Sequence, residues 1–155
     1  MDAYKTPDSN VNTTYQRPFK PVKAVLLGLF VSVILLIIVS MIFAVLFGIG
    51  IGVGFDNVDD FEKLIVTNVP FLLIDFLLSA ATCYFSGIVV GKNAPGKEYK
   101  YAIIVALITS VIFLVINITG ETGDLYPLWL EILNYLIVPV AIVVGARSTI
   151  APPTK

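Results

Sequence analysis

Asp75 stands alone as a charge in an apolar run from Leu64 to Gly91. A carboxylate at the centre of a bilayer helix costs about 2.5–3.5 kcal/mol. An acid so placed is therefore read first as a functional group, a proton or cation site. Ser79, Thr82 and Ser86 follow it at steps of four, three and four, which puts all four residues on one helical face, bordered by Cys83 and Gly87. Such a stripe suits a narrow hydrated path, and it equally suits a tightly packed helix seam. In the structural reading Asp75 lies about five residues from the outer end of its span, roughly 7–8 Å deep at ~1.5 Å per residue. There the positive helix N-terminus and nearby water stabilise it.

Glu131 is the second candidate. It follows Trp129 and precedes Asn134 and Tyr135 at helical spacing. One reading makes it a wetted acid in a first helical turn; the other pairs it with Asp75 across the bundle, since both acids enter from the same side at similar depth. A further group of acids, Asp56, Asp59, Asp60 and Glu62, falls in a loop and reads as a solvated surface or as an attraction for a cation or basic partner. Calcium takes six to eight oxygens in defined geometry, which this spacing does not match, so no metal site is assigned.

The chain has no histidine and a single cysteine, Cys83. That excludes an intrachain disulfide, the usual zinc sites and histidine-based triads. There is no Gly-rich phosphate loop, and no run of acids and arginines of the kind that membrane phosphotransferases place at the headgroup plane. No catalytic residues and no cofactor are expected, so the chain does not read as an enzyme. With a net charge of −1 it offers no basic stripe to neutralise phosphates, so nucleic acid is not a partner.

The elements that position these residues are set by hydropathy. Of the 155 residues, 57% are apolar and only 14% charged, against roughly a quarter charged in a soluble domain. A spanning helix needs about 20 mostly apolar residues. Four runs qualify, at about 24–51, 70–91, 101–119 and 125–146. Backbone amides in hydrocarbon must bond within their own segment, so the runs are read as helices. The expected fold is an all-α membrane protein whose 24–147 region is a four-helix antiparallel bundle, flanked by polar tails at 1–23 and 148–155. The first run is about twice the length of a signal core, so a cleaved leader is not expected. Gly28 with Ser32, and Gly48 with Gly52, form small-xxx-small pairs that predict close helix packing. Pro70 suits a first helical turn and Pro139 predicts a kink. Asn93-Ala94-Pro95-Gly96 is a turn signal, so the second and third spans are expected as neighbours, as are the third and fourth. A short surface helix is expected within Val58 to Val69.

Charge gives the threading. Of the ten basic residues, Lys5, Arg17, Lys20, Lys23, Lys92, Lys97, Lys100, Arg147 and Lys155 fall in the two tails and the second loop. Only Lys63 falls outside them. An even number of crossings puts both tails and the second loop on one side, and the positive-inside rule makes that side cytoplasmic. Spans two and four also share a pattern: Gly87-Ile88-Val89-Val90-Gly91-Lys92 matches Ala141-Ile142-Val143-Val144-Gly145-Ala146-Arg147. Each begins with a proline, Pro70 or Pro127, and carries an acid four or five residues later.

The opening Met1-Asp2-Ala3-Tyr4-Lys5-Thr6-Pro7-Asp8-Ser9-Asn10, leading through a basic stretch into the first span, resembles small uncharacterised bacterial inner-membrane proteins with a Tyr-x-x-Pro tail. The resemblance covers about ten residues and the general layout. It implies a bacterial cytoplasmic (inner) membrane and brings no activity or site residues. The function expected is a non-enzymatic accessory or interaction subunit embedded in the bilayer, working within a homo-oligomer or a larger membrane complex. The alternative is a small oligomeric proton- or cation-linked transporter or channel using Asp75, with Glu131.

Overall fold

The computed structural model describes residues 21–52, 61, 63, 67–119 and 127–150. Among them there is no strand. Four helices are long and apolar enough to cross a membrane: α1 (Pro21–Gly50), α2 (Val69–Asn93), α3 (Glu98–Thr119) and α4 (Leu128–Arg147). The outer loop's acids, the centre of the third loop and most of both tails lie outside the described residues. So does most of the surface helix expected within Val58 to Val69.

Helix α1 starts at Pro21, three residues before the apolar run, and its 30 residues reach about 45 Å at ~1.5 Å per residue. Its winding widens to a π-helix over Phe30–Leu35, where the Ser32 hydroxyl donates to the Leu29 carbonyl at 3.3 Å. It stops at Ile51, and Gly52 leaves it with φ +74°, a left-handed conformation that glycine adopts without a Cβ penalty. Asn68 caps α2: its side chain accepts from the Phe71 amide at 3.1 Å, with Pro70 in the first turn. The turn expected at 93–96 closes α2, with Gly96 at φ +76° and the Glu98 carboxylate accepting the Gly96 amide at 2.7 Å.

Burial is inverted relative to a water-soluble domain. The fully buried side chains include Ser32, Ser86, Thr109 and Cys83, while Leu26, Met41, Leu77, Leu107 and Leu136 are each 61–64% exposed. Water would penalise such a surface by about 25 cal/mol per Å²; acyl chains do not. Small interior residues let helix backbones approach, which is how helices associate where lipid is as apolar as leucine.

The pairings follow from individual contacts. Against α2, α1 matches Gly28 to Ser86, Ser40 to Asp75 and Phe43 to Phe71, so the two run in opposite directions. Against α3, α1 matches Gly28 to Val105 and Ser32 to Thr109, so these run the same way. The most extensive contact is between α2 and α4, with rising numbers matched from Gly87 against Ile142 to Gly91 against Thr149. Neighbourhood in sequence therefore does not set the tightest pair: α2 meets α1 and α4 far more than α3.

The reason is steric. A Cβ on Gly87 would sit 2.0 Å from the Ile142 carbonyl oxygen, and one on Gly145 2.0 Å from that of Tyr84. The two matched segments of the sequence thus meet one another. At this end of the bundle lie Lys23, Lys92, Lys97 and Arg147. At the other, Phe43, Phe47 and Phe71 form an aromatic cluster, with Phe43 stacked on Phe71 at 5.0 Å between centroids.

Candidate functional site

Away from the glycine seam, the helices frame a partly open cavity of about 250 Å³. Asp75 reaches it from the second turn of α2 and Ser79 from one turn further on. Glu131, Asn134 and Tyr135 line it from the first two turns of α4, and Ser110 and Asn117 from α3. Leu36, Leu72, Phe76, Phe113 and Val138 are among the apolar residues that complete the wall. Among the described residues, no lysine or arginine lines it.

Asp75 is half-buried and accepts a hydrogen bond from the Ser40 hydroxyl of α1 at 2.8 Å. Asn117 donates to the Tyr135 hydroxyl at 3.2 Å, linking α3 to α4. The Asn134 side-chain oxygen is buried and has no hydrogen-bond partner among the described residues. Buried polar groups are nearly always satisfied, so this acceptor is an exception; protein atoms cover it, and it is not on the cavity surface. A carboxylate in a membrane interior normally pairs with a basic group or a donor, and here the described residues supply only Ser40.

The structure thus brings Asp75 and Glu131 to one cavity. It does not carry the whole polar stripe there. Ser79 faces the cavity with Asp75, but the Thr82 hydroxyl donates to its own helix at the Leu78 carbonyl, 2.9 Å. The Ser86 hydroxyl donates across to the Gly28 carbonyl at 2.8 Å. These two residues form a seam and do not extend the cavity towards the basic end.

The glycine pairs divide in the same way. Gly28 packs against Val90 and Val105, and Ser32 shares a hydrogen bond with Thr109 at 2.9 Å. Gly48, by contrast, meets the Phe61 ring. Gly52 lies beyond the helix end, where an added Cβ would find nothing within 4 Å. Cys83 is fully buried among apolar neighbours.

Sequence reasoning missed Ser40. Its signal was present, since Ser32 and Ser40 are the sole hydroxyls between Ala24 and Phe55, and a spacing of eight repeats a helical face. It also passed over the pair Gly87 and Gly91 as a small-xxx-small motif; both pack against α4 and the residues just after it, Gly87 against main chain. Three carboxylates or other metal-binding side chains do not converge anywhere among the described residues. No family model, curated protein or solved structure matches the chain.

Proposed function

We propose that this chain is a non-enzymatic, multi-pass protein of the cytoplasmic membrane that binds a small cationic ligand inside its bundle. It crosses the bilayer four times as an antiparallel bundle, with both termini on the cytoplasmic side. The observation that carries the ligand reading is the cavity itself: Asp75 and Glu131 line one partly open space, and among the described residues no lysine or arginine lines it. Two carboxylates give this largely apolar space negative charge that no described basic side chain in its wall balances, and a bound cation would supply the balance. The threading is supported by Lys23, Lys92, Lys97, Lys100 and Arg147, which collect at the end of the bundle away from the cavity, as the positive-inside rule requires. The cavity then opens towards the outer leaflet.

The test is equilibrium binding to full-length protein in lipid nanodiscs, across a panel of monovalent cations from sodium to arylalkylammonium ions. At least one should bind saturably, and Asp75→Asn should weaken that binding tenfold or more. No saturable, Asp75-dependent binding by any member refutes the reading. Reporters fused to the two termini should both respond in the cytoplasm; opposite responses would refute the threading.

The accessory role retains one specific support. Helix α1 buries the smallest share of its apolar length among the four, leaving a broad face for lipid or for another transmembrane helix. A stable partner recovered in mild detergent, and lost when Met41 or Leu46 on that face is changed to a bulky tryptophan, would favour it.

A further inference from the structure

Resting on the cation-site reading above, we propose that the ligand is a protonated primary or secondary amine with a compact apolar or aryl body, not a metal ion or bare inorganic cation.

Size comes first. The cavity's volume of about 250 Å³ is more than ten times the ~15 Å³ that holds one water by the same measure. A dehydrated sodium or calcium ion would leave most of it empty or filled with water against apolar walls. Ligand count agrees. The cavity offers two carboxylates, and no group of three or more histidine, cysteine, aspartate or glutamate side chains occurs among the described residues. Calcium needs six to eight oxygens, and magnesium near-ideal octahedral geometry.

The wall chemistry is that of an organic cation site. Phe76, Phe113 and Tyr135 line the same space as the two acids. Aromatic rings attract ammonium groups through their π-faces and accept an apolar body at the same time. The two carboxylates then separate ammonium types. An N–H of a protonated primary or secondary amine donates a charge-assisted hydrogen bond to a carboxylate oxygen. A quaternary ammonium has no N–H and keeps only the charge attraction. The carboxylates supply both charge and acceptors, and the rings the apolar wall.

The probe is radiolabelled 2-phenylethylammonium, bound to the full-length protein in zwitterionic nanodiscs and competed with sodium, methylammonium, tetramethylammonium and neutral 2-phenylethanol. Expected is saturable binding, with tetramethylammonium and 2-phenylethanol competing at least tenfold more weakly than the unlabelled probe. Asp75→Asn and Glu131→Gln should each weaken the probe tenfold or more. Each variant is first shown to elute as wild type does; should one fail, the other acid variant carries the comparison. If sodium or methylammonium binds in an Asp75-dependent way and 2-phenylethylammonium does not, the amine assignment falls and the cation-site reading stands. If 2-phenylethanol competes as well as the amine, the assignment also falls. If nothing in the panel binds, both fall.

Discussion

Gly87→Ala adds one carbon where α2 and α4 meet main chain to main chain. Built on the existing backbone, that carbon lies 2.0 Å from the Ile142 carbonyl oxygen and 2.8 Å from both the Ile142 carbonyl carbon and the Ala146 nitrogen. An ordinary carbon–oxygen contact is about 3.3 Å, so α2 and α4 must part by roughly 1.3 Å at this point. All three obstructing atoms are main chain, so no side-chain rotation relieves the clash. Overpacking costs about 1–3 kcal/mol, and a rigid backbone obstacle belongs at the upper end. Alanine recovers about 0.5–1 kcal/mol of helix propensity relative to glycine, leaving a net loss of about 2 kcal/mol.

Gly50→Ala is the internal control. Nothing lies within 4 Å of its added carbon, so propensity alone acts and the change should range from zero to about 1 kcal/mol stabilising. Gly145→Ala, 2.0 Å from the Tyr84 carbonyl oxygen, should match Gly87→Ala. Gly91→Ala should cost less, because its nearest obstacle at 2.2 Å is the Thr149 hydroxyl, which can rotate away. The assay is denaturant unfolding in mild detergent, followed by the fluorescence of Trp129, the single tryptophan, which sits on α4. Equal midpoints for Gly87→Ala and Gly50→Ala, or a larger loss at Gly91 than at Gly87, would refute the seam as the organising contact.

Two further outcomes are expected. The Ser32–Thr109 hydroxyl pair is buried at 2.9 Å between α1 and α3. A double-mutant cycle with Ser32→Ala and Thr109→Val should therefore give a coupling of about 0.6–1.7 kcal/mol, and additivity of the two losses would show that the hydrogen bond contributes nothing. Cys83 is fully buried, so a maleimide should modify it at least about 100-fold more slowly in the folded protein than after denaturation. Rapid labelling of the folded protein would mean that the α2 interface opens readily.

Hydropathy reaches far into this molecule, because segments apolar enough to span a bilayer must close their backbone hydrogen bonds as helices. Four helices follow from four apolar runs. Asp75 and Glu131 were legible as out-of-place acids, and their meeting in one cavity was legible as one of two alternatives. Which hydroxyl served which partner was not. Thr82 and Ser86 share a face with Asp75, yet Thr82 bonds its own helix and Ser86 reaches the Gly28 carbonyl. A helical wheel gives direction around an axis but not the distance to the next helix. That distance depends on residues such as Gly87 and Gly145, whose effect appears only once both are placed on facing helices. Gly48 shows the converse. It has the same local signature as Gly87, but what fills the space beside it is the Phe61 ring, which comes from between α1 and α2 and not from a facing span.

The seam and the cavity are two consequences of how α4 is built. From Ala141 to Ala146 its small residues fix it against α2. From Leu130 to Val138 larger and polar side chains hold it off, and the space between becomes the cavity. Pro139 stands at the boundary. Having no N–H, it leaves the carbonyl four residues earlier, that of Tyr135, without its helical partner, and its ring weakens the ladder there. Tyr135 itself lines the cavity and is tied to α3 through Asn117. The half of α4 that carries Glu131 and Asn134 is therefore joined to the anchored half through the weakest turn of the helix. The tight contact and the polar cavity thus lie on opposite sides of Pro139, which is how both fit on one helix of 20 residues.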